Sequence, residues 1–210
     1  MGVLVHVLFV AGVATLLAVW CGWGLSRFLL PEAMRSWGAL LAPAMGYALL
    51  LVFGYWCVRD WVGLPLVLAV LLPITGALNA LAWRRTGQPR FSPGAQHLPL
   101  AALLLVTFFV GVLPLLSYGQ PGIIGANWDI ENYLPVSRYL ERGPISDIAT
   151  ALPNPLRDLN SSPPAIGLTL GFSVWQGSVD LLSGQEAITT FAVLMAWLRA
   201  LGVATIYVLF

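Results

Sequence analysis

Lysine is missing from this chain of 210 residues, and charged residues of every kind make up only 9% of it. The ten basic residues are all arginine and nearly cancel the nine acids, so there is no basic face for nucleic acid. Cysteine and histidine occur twice each, at Cys21, Cys57, His6 and His97, with none of the CxxC or HExxH spacings that build a metal centre. What fills the chain instead is apolar. Hydrophobic residues make up 59% and mean hydropathy is +0.84, the composition of an integral membrane protein and not of a soluble domain.

A hydrocarbon core of about 30 Å takes about 20 apolar residues per helix. Runs of that order extend over 3–26, about 37–58, 61–83, 98–118 and from about 187 to the last residue. The first is too long for a signal-peptide core and lacks a basic leader, so it reads as a retained helix. The pattern predicts an all-α polytopic transmembrane bundle of about five spanning helices, with an external loop of short amphipathic surface helices, 119–184, between the fourth and fifth. Residues 1–97 form three helices and a cytoplasmic linker, and 98–210 hold the fourth helix, the loop and the last helix. The final run is still apolar at Phe210, so the chain is expected to be the amino-terminal part of a longer protein.

Arginines in short loops mark the cytoplasmic side. Arg27, Arg35, Arg84, Arg85 and Arg90 fall on one side and Arg59 alone on the other, which predicts a cell-membrane protein with its amino terminus and its long loop outside. Cys21 then lies near the inner end of one helix and Cys57 near the outer end of the next, too far apart for a disulfide. Pro43, Pro65, Pro73, Pro99 and Pro114 predict bends. Asn79 and His6 are expected to pack helices through side-chain hydrogen bonds. The spans carry no pattern of acids or lysine that would relay ions, which weakens a transporter reading.

Six of the nine acids lie between Tyr118 and Gly184. From Trp128 the spacing becomes helical, with Asn127 as N-cap and Asp129 in the first turn, where a carboxylate suits the helix dipole. Ile130, Tyr133, Leu134, Ser137 and Leu140 share one face, and Glu131, Arg138, Glu141 and Arg142 the other. Pro135 marks a kink or restart, and Gly143-Pro144 stops the helix. A second short helix is expected over 145–152, then a stiff Pro-rich stretch over 153–164 folded over a cavity. The Asn160-Ser161-Ser162 sequon reads as a chance match. The apolar stretch 165–182, interrupted by Gln176 and Asp180, is expected to lie at the outer interface or dip into it.

From Leu98 onward the order of features resembles the opening of the GT-C class of polytopic membrane glycosyltransferases. The corresponding residues are the Leu98–Tyr118 helix, Asp129 with Glu131 and Tyr133, the Tyr139-Leu140-Glu141-Arg142-Gly143 turn, Pro163-Pro164, the 165–177 stretch, and Gly184-Gln185-Glu186 before the last helix. The resemblance implies inverting transfer of a sugar from a polyprenyl-phosphate carrier at the outer face. Asp129 matches the acidic residue of the class and would serve as general base, with Glu131 as second choice. Tyr133, one turn from Asp129, would line the pocket, and Arg138, Arg142, Arg157 and Arg199 would be the cations available to a lipid phosphate. A lipid-linked sugar donor is the cofactor-like partner implied, with room for a divalent metal. The class usually opens with the helix before the acidic loop, whereas three helices precede it here. The adjacent acids of many members are also replaced by Asp-x-Glu.

A second reading needs no catalysis. In it the chain is an accessory subunit, in contact with membrane lipids and other membrane protein subunits, that packs small residues at helix interfaces and caps a partner with its loop.

Overall fold

The computed structural model describes residues 2–86, 98–120, 129–144 and 163–209, with positions 33, 60, 129–133, 163–170 and 209 described by their backbone alone. Among the described residues the chain is all α, as the apolar runs predict. Its helices are α1 (Val3–Leu29), α2 (Gly38–Asp60), α3 (Leu64–Thr86), α4 (Leu98–Tyr118), α5 (Asp129–Leu140), α6 (Pro163–Ser183) and α7 (Ala187–Leu209), with a 3-10 turn at Glu32–Trp37 between α1 and α2. Five of them, α1, α2, α3, α4 and α7, are long and apolar enough to cross a membrane. Much of their apolar surface faces outward, including Leu16, Val52, Leu66, Leu105, Val110 and Ile206, as befits helices solvated by hydrocarbon.

Where apolar side chains meet solvent and neighbour alike, burial alone gives helices little reason to associate, and close packing decides which faces touch. The closest approach is between α1 and α2. Ala18 and Gly22 on α1 face Ala42 and Gly46 on α2, each pair one helical turn apart. A Cβ built on Gly22 would collide with the Ala42 carbonyl, and one on Gly46 with the Ala18 carbonyl. Only glycine lets the two backbones lie this close. A second clasp joins α1 to α3. The Asn79 Oδ1 accepts from Gly24 N–H at 2.7 Å and its Nδ2 donates to the Trp20 carbonyl at 2.8 Å. Trp20 and Gly24 stand four residues apart, so the Asn79 amide bridges the two groups that one rung of the α1 ladder would join. This is the interhelical role expected for Asn79, supported by Trp20 Nε1, which donates to the Leu72 carbonyl at 3.0 Å.

The prolines divide into two groups. Pro43, Pro73, Pro114 and Pro135 lie inside α2, α3, α4 and α5. Pro65 and Pro99, expected to bend spans, instead occupy the second positions of α3 and α4. In the first turn no backbone donor is owed to the helix, so these two prolines start helices without bending them.

Matching levels along the helices fix their directions. His6 Nε2 donates to the Thr189 carbonyl at 3.0 Å, Trp197 Nε1 donates to Thr15 Oγ1 at 2.9 Å, and Trp37 meets Tyr207 edge to face. α1 and α7 therefore run parallel, both starting at the end of the bundle where α4 stops and α5 sits, the loop end. His6 fills the packing role expected of it. Cys21 and Cys57 are free thiols.

Candidate functional site

The 165–182 stretch forms α6, which dips into the bundle and does not lie flat on it. Gly171 faces Leu51, Val174 faces Gly54, and Gly177 faces both Leu64 and the Ser137 carbonyl, so the helix climbs toward the loop end beside α2 and the start of α3. α6 packs against α1, α2, α3, α5 and α7, and every residue from Ser173 to Asp180 is buried. It is not among the five apolar spans. Part of its polar surface is met by α7, through Gln176 Nε2 on the Ala187 carbonyl and Thr190 on Asp180 Oδ1, which helps so mixed a sequence to sit inside.

Two layers follow from this burial. The deeper one is aromatic: Trp175 stacks on Trp197 with ring centroids 5.0 Å apart, and Tyr47 meets both edge to face. The upper one is polar. Gln176 and Asp180, four residues apart and so on one face of α6, both turn toward the first turn of α7. Gln176 Nε2 donates to the Ala187 carbonyl at 2.7 Å, and Thr190 Oγ1 donates to Asp180 Oδ1 at 2.5 Å. Asp180 is 3% exposed and Gln176 fully buried. Gly184, with φ of +64°, ends α6 by donating its N–H to the Asp180 carbonyl at 2.8 Å, and Gln185 and Glu186 then lead into α7.

α5 lies across this layer. Val136, Ser137 and Leu140 are its buried positions, and Gly143 rests against Gly63 in the α2–α3 turn. Arg138 reaches Glu186 at 3.5 Å, an ion pair whose side chains are 48% and 72% exposed. Burial raises the Glu141 carboxyl above its usual range, opposed by Arg138 and Arg142. Burial likewise lifts Asp180, to about 7, against the Thr190 hydrogen bond, with the Glu141 charge adding to the rise and Arg138 opposing it.

Of the residues predicted as a site, Arg138 and Arg142 are placed at the loop end beside this layer. Asp129, Glu131 and Tyr133 lie in the first turns of α5, and their side chains fall outside the described residues, as does Arg157 entirely. Also outside are the Asn127 cap, the 145–152 helix and the 153–162 part of the Pro-rich stretch. Arg199 stands exposed on α7, twelve residues past Ala187 and so about 18 Å along the axis from the loop end. It is not brought near Arg138. The prediction missed Asp180 as a functional candidate, because in sequence it reads as an interruption of an apolar run. The available signal was the i, i+4 pairing with Gln176. No group of three or more His, Cys, Asp or Glu that could hold a metal ion occurs among the described residues. Comparisons with family models, with curated proteins and with solved structures return no match.

Proposed function

We propose that the chain is the loop-bearing portion of a membrane glycosyltransferase of the GT-C kind, acting on a polyprenyl-phosphate-linked sugar at the outer face of the cell membrane. The observation that carries this is the docking of α5, whose first residue is Asp129, across one end of a bundle of apolar helices, with Arg138 and Arg142 at that same end. An acid at the start of α5 and arginines beyond its middle would suit a lipid phosphate held at that end of the bundle. In the step proposed, an acceptor hydroxyl oxygen attacks the anomeric carbon as the bond from that carbon to the phosphate oxygen breaks. The hydroxyl proton passes to the Asp129 carboxylate, and polyprenyl phosphate leaves with the electron pair, its charge met by arginine. Loop arginine counts support the outer placement.

The test is transfer from radiolabelled polyprenyl-phosphate sugars in membranes holding the intact protein. Asp129→Asn is expected to reduce transfer by about 100-fold or more, the scale of general-base loss, while leaving thermal stability unchanged. Unchanged transfer removes Asp129 as the base. No transfer by wild type with any donor of this class leaves the accessory-subunit reading, to be pursued by cross-linking α5 to co-purifying membrane proteins.

A further inference from the structure

The polar layer between α6 and α7 is short of donors. Gln176 Nε2 is committed to the Ala187 carbonyl, and a flipped amide would set two carbonyl oxygens against each other, so the orientation is fixed by chemistry. Gln176 Oε1 is therefore left as an acceptor, buried and without a partner among the described residues. Asp180 Oδ2 is in the same position. The single hydroxyl proton of Thr190 is already shared between Asp180 Oδ1 and the Ala187 carbonyl, at 2.5 and 3.1 Å. Two buried oxygens, one of them half of a carboxyl group, thus lie on one face of a helix with no donor among the described residues. The last turn of α6 adds the negative end of a helix dipole. Buried acceptors without donors are costly, and the cost is removed by a single positive charge.

We propose that the Asp180–Gln176–Thr190 niche is a binding site for one small monovalent cation, either a proton on the Asp180 carboxyl or an alkali-metal ion, shared between Asp180 Oδ2 and Gln176 Oε1. The niche has one carboxylate and neutral oxygens, too little charge and too few ligands for a divalent ion. The C-terminal ends of helices that stop inside a membrane protein are used elsewhere to coordinate sodium ions or protons. The charged groups around the niche are Glu141 and Arg138 from the α5 side and Glu186 from the turn into α7, with His6 of α1 on the Thr189 carbonyl. Arg138 is engaged by Glu186, and burial dominates the field at Asp180. The proposal does not rest on the sugar-transfer chemistry.

The test uses the full chain in lipid nanodiscs, titrated from about pH 4 to about pH 9 in N-methylglucamine, sodium or potassium buffer. It follows the infrared stretch of protonated carboxyls together with thermal stability. In N-methylglucamine a protonated carboxyl is expected to persist to near neutral pH, to survive Glu141→Gln and to vanish in Asp180→Asn. The folded pKa is raised, so this group's stabilisation is complete below the unfolded value of about 3.8 and is lost as pH rises through about 7. That slope should be absent in Asp180→Asn, whose amide donates to Gln176 Oε1 and whose stability at about pH 8 should equal or exceed that of wild type. If sodium or potassium moves the titration to lower pH and restores stability at about pH 8, the occupant is an alkali-metal ion. If neither does, it is a proton. A carboxyl at Asp180 that stays ionised across the range with no response to either ion overturns the proposal, as does an Asp180→Asn variant less stable than wild type at about pH 8. If that variant fails to fold, the Glu141→Gln titration is repeated with Asp180→Glu: a carboxyl band that moves in frequency belongs to position 180 and supports the proposal, and one that stays put overturns it.

Discussion

Adding one methyl group at Gly46 measures how much of this fold rests on the α1–α2 crossing. The Cβ of alanine there would overlap the Ala18 carbonyl oxygen and sit 2.8 Å from both Ala18 C and Gly22 N. Comfortable contact needs about 3.5 Å, and all three are backbone atoms, so no side chain can swing aside and the helices must part by more than about 1 Å. A gap of that size forfeits about a quarter to a half of the dispersion energy along the seam, where overpacking costs about 1–3 kcal/mol. Helix propensity works the other way, since alanine gains about 1 kcal/mol over glycine in a helix interior. The balance leaves Gly46→Ala less stable by up to about 2 kcal/mol, and Gly46→Leu, with no such offset, by about 4 kcal/mol. Gly12, in α1 with nothing within 4 Å of its would-be Cβ, isolates the propensity term. Gly12→Ala should gain up to about 1 kcal/mol. The assay is equilibrium unfolding in mixed micelles, titrated with denaturing detergent and followed by tryptophan fluorescence. A Gly46→Leu variant within about 0.5 kcal/mol of wild type would refute this account of the crossing.

The same assay tests two smaller interactions. Asn79→Leu removes both hydrogen bonds to α1, and with about 0.6 kcal/mol typical of each in membranes the loss should be about 1–2 kcal/mol; a stabilised variant would mean that Trp20 and Gly24 recover more from their own helical bond than Asn79 supplies. Arg138 and Glu186, 3.5 Å apart and largely exposed, should show a coupling of no more than about 1 kcal/mol in a double-mutant cycle, falling as salt rises from about 0.05 to 0.5 M; a coupling that ignores salt would place the pair in a drier setting than its exposure indicates.

The spans were legible because their signal is local. An apolar run ended by Arg27, Arg59 or Arg84-Arg85 needs no partner to be recognised, and the helices end within a few residues of those points. Errors arose where meaning depends on a boundary or on a neighbour. Pro65 and Pro99 bend nothing because each helix starts one residue earlier, a difference too fine for run lengths to resolve. The Ala18/Gly22 and Ala42/Gly46 pairs were present in the sequence, but a chain with 21 glycines holds many such spacings, and only the backbone tells which two face each other. Gln176 and Asp180 interrupt the 165–182 stretch, which for that reason reads as lying at the outer interface or dipping into it. Polarity along one chain cannot reveal that Ala187 and Thr190 supply partners from the next helix.

α6 joins these separate features into one physical object. Gly177, one turn before Asp180, is in contact with Leu64 of the frame and with the Ser137 carbonyl of α5, so α5 is seated on the same stretch of helix that holds the buried carboxyl. Asp180 also shares its field with Glu141 and Arg138, which bracket the C-terminal turn of α5. A charge that appears or disappears at Asp180 therefore acts on the α5 seat through two routes, direct contact through the α6 backbone and electrostatics in a partly dehydrated layer where screening is weak. Because α5 begins at Asp129, the acid proposed for catalysis and the niche proposed for the cation stand on one platform. A protein that needs its surface acid held in a fixed position at the membrane boundary has a physical reason to keep that platform neutral, and filling the niche with one positive charge does so.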